Sequence, residues 1–90
     1  MSKRYEVLIS KKVEKQIDKL PDRELLVLKR LVDNIAENGP AQPLFMNYSK
    51  IGPNSYHCHL SYRWVACWRN ENNSFVVEVY YVGTRENAPY

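Results

Sequence analysis

The stretch ENGP at positions 37–40 divides this chain into two parts with different periodicities. Gly39 can adopt a positive φ and Pro40 cannot continue a helix, so helical structure stops here. Before this point apolar residues recur at spacings of three and four. Val13, Ile17 and Leu20 make one such face; Leu25, Leu28, Val32 and Ile35, widened by Leu31, make a second. Lys29, Arg30, Asp33 and Glu37 take the opposite side of the second helix. Pro21 separates the two helices. Ser10 stands where the N-cap of the first belongs, and Asp22 is expected to cap the second. After ENGP, segments rich in β-branched and aromatic residues alternate with turn formers. Strands are expected near Phe45–Ile51, in YHCHL (56–60), in YRWVACWR (62–69) and in FVVEVYYVG (75–83), with turns at IGPNS and NENNS. RYEVLIS adds an earlier strand over Tyr5–Ile9. The order β-α-α-β-β-β-β describes an α+β fold, a helical hairpin packed on a mainly antiparallel sheet.

Ninety residues are enough for one core, so residues 1–90 are expected to form a single domain. No apolar run approaches the ~18 residues needed to span a bilayer, and the first residues lack the apolar segment of a signal peptide. Membrane association is therefore not expected. The two cysteines, Cys58 and Cys67, are expected to be reduced thiols in a cytoplasm. The formal charge of +3 fits a nucleic-acid partner without requiring one. Most basic residues lie before position 31 among acidic ones, and a solvated helix surface explains most of that charge.

The segment SYHCHLSYRW raises the functional question. Side chains alternate across a strand. Tyr56, Cys58 and Leu60 share one face; His57 and His59 share the other, pointing away from the helices. A metal site needs a third ligand. Cys58 faces the wrong way and Cys67 lies nine residues on, so neither a metal nor any other cofactor is expected. Cys58 reads as core rather than as a nucleophile, which would need an activated thiolate. The tail VGTRENAPY carries Arg85 just past the last strand and ends on Tyr90, with Pro89 stiffening the approach.

These segments resemble the RelE/ParE superfamily of toxins from bacterial toxin–antitoxin systems, on the RelE-type messenger-RNA interferase side. The resemblance rests on NYSKIG, YHCHL, YRWVACW and FVVEVYYVGTRENAPY, in that order. It implies a toxin that cleaves messenger RNA in the ribosomal A site without metal, by attack of the ribose 2′-OH on the adjacent phosphate. It also implies a cognate antitoxin protein as partner. His57 and His59 fall where relatives carry two lysines that flank the scissile phosphate. Arg63 follows the tyrosine of the Tyr-Arg pair, Arg85 follows Val-Gly-x, and Tyr90 falls near the family's tail tyrosine. Lys50, within NYSKIG, joins Arg63 and Arg85 as an RNA contact.

The chemistry fits the residue types. Guanidinium groups bind phosphate oxygens bidentately and stay charged. Histidine can accept or donate a proton near neutrality. One imidazole would be the base and the other, or Tyr90, the acid, and nearby arginines would favour the neutral, base-competent imidazole. Tyr90 could also stack on a splayed base. Two rival readings share the fold: a ParE-like DNA gyrase inhibitor without nuclease activity, and an inactive antitoxin-bound relic.

Overall fold

A computed structural model describes residues 4–72 and 74–90. Its elements are β1 (Glu6–Ile9), α1 (Lys11–Ile17), α2 (Asp22–Asn38), β2 (Ser49–Lys50), β3 (Ser55–His59), β4 (Trp64–Arg69), β5 (Val76–Thr84) and a 3₁₀ turn at Arg85–Asn87. The five strands form one sheet in the order β1-β5-β4-β3-β2. Only β1 pairs in parallel, with Glu6 opposite Val76 and Ile9 opposite Val79. The other pairings are antiparallel. The chain is thus α+β, with a helical layer on a mixed, mainly antiparallel sheet. No helix among the described residues is long and apolar enough to cross a membrane.

Ser10 caps α1 as expected, its hydroxyl oxygen accepting from the Val13 N–H at 3.2 Å. At α2 the expectation shifts by one residue. Pro21, with extended backbone, occupies the cap, and its carbonyl accepts from Leu25 N–H at 2.9 Å. Asp22 is the first helical residue, where its negative charge favours the positive end of the helix dipole. Leu28, Leu31 and Ile35 are buried, with Leu25 and Val32 only partly so. Leu31 is therefore at the centre of the stripe, not at its margin. These residues, with Val13 and Leu20, pack on Cys58, Leu60, Ala66, Trp68, Val77, Val79 and Val82.

The strand expected over Phe45–Ile51 contracts to two residues. Its backbone is committed to turns, Phe45 N–H to Gln42 carbonyl and Tyr48 N–H to Phe45 carbonyl. Asn47 sits between them at φ 53°, which no strand accommodates. Tyr5 falls just outside β1. Its ring packs on Phe75 and against Gly39, where an added Cβ would meet the Tyr5 ring at 2.8 Å. Gly39 also has φ 94°. Gly39→Ala is therefore expected to destabilise the fold by more than ~1 kcal/mol, read as a lower urea midpoint at unchanged slope.

A register shift between Cys67 and Trp68 places Cys67 opposite Tyr81 but Trp68 opposite Val79. Tyr80 is the extra residue. Such a bulge lets two consecutive side chains take the same side. Val79 and Val82 can then both face the helices, while Tyr80 approaches Ser55, Cys67 and Arg69 on the other side.

Candidate active site

Cross-strand partners share a face. His57 lies opposite Ser49 on one side and Cys67 on the other, and Cys67 lies opposite Tyr81. His59 lies opposite Val65, and Val65 opposite Gly83. Their strand neighbours Cys58 and Leu60 belong to the core under the helices. Both imidazoles therefore take the outer face, as strand alternation predicts. They are not an exposed wall, however: His57 is 9% and His59 8% exposed.

Part of the cover over His57 comes from the tail. After the 3₁₀ turn, Ala88 is extended, as a residue before proline prefers. Tyr90 then returns over the outer face, and its ring and that of His57 meet in a T-shaped arrangement with centroids 4.4 Å apart. The two imidazoles are themselves 5.7 Å apart. Ser49 Oγ lies 3.0 Å from His57 Nδ1. Burial pushes the His57 pKa below the ordinary imidazole value. A hydrogen bond to the Ser49 backbone opposes this, and the neighbouring His59 adds to the lowering. The arginines are not among the causes, so the neutral form arises from burial rather than from the expected cationic repulsion. Neutral His57 is thus favoured in the fold. Its contribution to stability is whole above the ordinary value near ~6.5 and is lost as pH falls through the lower folded value.

Burial also raises the Tyr90 phenol above its usual pKa, with Arg85 opposing. Tyr90 therefore remains protonated at neutral pH. His59 borders a groove of about 590 Å³ between α2 and the loop 41–46. Its Nδ1 is buried without a hydrogen-bond partner.

Both arginines stand at the end of the sheet where His59 lies. The Arg85 N–H donates to the Arg63 carbonyl at 2.8 Å, and both residues are exposed. Arg85 is close enough to Tyr90 for its charge to act on the phenol. Lys50 stands apart from this group. Register puts Ser49 against His57 and Lys50 against Tyr56. The Lys50 ammonium lies 5.8 Å from the Tyr56 ring centroid, on the helix-side face.

The β3–β4 hairpin also brings Cys67 opposite His57, a juxtaposition that sequence distance hides. Even so, no group of three His, Cys, Asp or Glu side chains that could hold a metal ion occurs among the described residues. Cys58 and Cys67 are free and buried, and burial pushes both thiols up to about 12. Neither is an activated nucleophile.

No family model and no curated protein matches the sequence. Solved structures do. RelE in the archaeal RelE–RelB complex from Pyrococcus horikoshii OT3 superposes with a TM-score of 0.72 at 17% identity, covering 94% of this chain and 99% of that one. This chain has the RelE-like fold. An arginine double mutant of Escherichia coli toxin RelE in the free state gives a TM-score of 0.71 at 20% identity, covering 94% of this chain and 87% of that one. The YoeB–YefM complex from Staphylococcus aureus gives 0.67 at 10% identity, covering 89% and 95%. The resemblance read from YHCHL, YRWVACW and the tail is thus met in the backbone. The RelE-like scaffold here carries a histidine pair on the strand next to its edge strand, with the tail tyrosine against His57.

Proposed function

We propose that this RelE-like chain is the toxin of a toxin–antitoxin pair and an endoribonuclease acting on messenger RNA in the ribosomal A site. One observation carries the reading: His57, His59 and Tyr90 meet on the outer face, beside a sheet end where one backbone hydrogen bond ties Arg63 to Arg85. The neighbours crystallised as RelE–RelB and YoeB–YefM complexes support a protein antitoxin as partner.

The mechanism follows from the two titrating groups whose surroundings separate their roles. His57 directs its Nδ1 proton at Ser49, leaving Nε2 as the base. Nε2 takes the proton from the 2′-OH, and the O2′–P bond forms. Arg63 and Arg85 hold the phosphate oxygens as negative charge builds on the phosphorane. The P–O5′ bond then breaks, and Tyr90 gives its proton to the departing oxygen. The products are a 2′,3′-cyclic phosphate and a 5′-hydroxyl; solvent returns the proton to Tyr90 and removes it from His57. Tyr90 must shift from the His57 ring for the ribose to enter, and its place in an exposed tail permits this.

Sequencing RNA ends after induction of the chain tests the reading. Cuts within translated codons, bearing 5′-hydroxyl ends, are expected, with gyrase supercoiling unaffected. Loss of supercoiling with intact messages would instead indicate the ParE-like activity, and harmless expression the inactive relic. The rate–pH profile tests the roles. With neutral His57 as base and Tyr90 as acid, cleavage should fall only below pH ~6.5 and stay level through neutrality. An imidazole acid would instead make the rate fall again above that range.

A further inference from the structure

The turn between β3 and β4 carries an aromatic ring that the cleavage steps above do not use. Tyr62 is 72% exposed. Its backbone is nonetheless well held. The N–H groups of Leu60 and Ser61 both donate to the Trp64 carbonyl, at 2.7 and 3.3 Å, which closes the turn tightly. The Arg85 N–H bond to the Arg63 carbonyl fastens the 3₁₀ turn against it. The Arg85 guanidinium lies over the Tyr62 ring, 4.7 Å from its centroid.

A single exposed tyrosine is ordinary on a protein surface. The guanidinium makes this one different. It occupies one side of the ring and orients it through a cation–π contact, while the ring remains largely open to solvent. The same guanidinium is one of the two cations assigned to the scissile phosphate. A flat ring beside a phosphate-binding cation matches a nucleotide, with the phosphate on Arg85 and a base on the ring. Stacking of bases on aromatic side chains is a common way of holding single strands and tolerates any base.

We propose that Tyr62 is a stacking platform for a nucleobase of the RNA strand adjoining the phosphate held by Arg85. The inference rests on the RNA-directed reading of the site, and its test separates the two.

A 2′-O-methyl RNA hexanucleotide cannot be cut, because the attacking hydroxyl is blocked, so it reports binding alone. It is measured free in solution and as the A-site message on ribosomes. Tyr62→Ala is expected to weaken binding about tenfold, whereas Tyr62→Phe and Tyr62→Trp stay within about twofold. Exposure of the side chain keeps the alanine variant folded. Removing the base at one position of the oligonucleotide should weaken wild-type binding equally, and on that oligonucleotide Tyr62→Ala should cost nothing more. Wild-type affinity in Tyr62→Ala, or a loss that persists with every abasic position, overturns the platform while leaving the nuclease reading intact. Loss of antitoxin affinity with RNA affinity unchanged overturns it too, making Tyr62 a protein contact. A loss of RNA affinity in Tyr62→Ala by a wild-type chain that binds but never cuts supports the platform and overturns the nuclease reading. Wild-type protein that binds RNA in neither setting overturns both.

Discussion

His57→Ala is expected to lower single-turnover cleavage of A-site message by about 10²- to 10⁴-fold, the usual worth of a positioned acid–base group. The substitution also removes the imidazole against which Tyr90 rests and the group facing Ser49 Oγ. Some loss of stability must therefore be separated from loss of chemistry. His57→Gln retains a polar side chain of similar reach without a base that titrates near neutrality. It should remain as inactive as the alanine variant while unfolding nearer to wild type. Ser49→Ala should fall between, since it disturbs the orientation of the base rather than removing it. Cleavage within a few-fold of wild type by both His57 variants would remove the imidazole from the chemistry.

The largest stability effect is expected at Trp68. Its side chain is fully buried between the helices and the sheet. It stacks with Tyr48 at 6.3 Å and with Tyr56 at 6.2 Å, and its indole N–H donates to the Pro40 carbonyl at 2.9 Å. Truncating a buried tryptophan to alanine costs about 3–5 kcal/mol. A domain of this size has only about 5–15 kcal/mol in total. Trp68→Ala should therefore lose a large share of its stability, seen as a sharply lower urea midpoint. Trp68→Phe keeps a ring in the stack but leaves the Pro40 carbonyl without its donor, at a cost of about 1–3 kcal/mol. Equal midpoints for the two variants would mean that the hydrogen bond, not the ring packing, dominates at this site.

These two positions also show what sequence can reveal. The outward orientation of His57 was legible because alternation in YHCHL is unambiguous: Tyr56, Cys58 and Leu60 fall on one face and the two histidines between them on the other. The burial of both imidazoles was not legible. The ring laid on His57, Tyr90, arrives from the far end of the chain, and no local pattern reports where a tail lands. Ser49 as the partner of His57 depends on the register set at IGPNS, and a shift of one residue would have put Lys50 there instead. In FVVEVYYVG both faces are apolar, so alternation alone left the orientation open. The bulge at Tyr80 explains why, since Val79 and Val82 serve one side and Tyr80 and Tyr81 the other. The helix starts and the end of α2 were read closely because caps, Gly39 and prolines mark them, whereas α1 stops at Ile17, before Leu20, which was expected on its face. The strand near Phe45 was overextended because β-forming composition says nothing of the turns that consume its backbone groups.

The parallel pairing of β1 with β5 bears on how the chain is made. Glu6 waits for Val76, and at synthesis rates of about 5–20 residues per second that delay lasts on the order of several seconds. Until then β1 has no partner strand, and Val13 lacks Val77, Val79 and Val82. The nascent helical hairpin leaves the ribosome with its oily side uncovered, and the cover is complete only once β5 has joined the earlier strands.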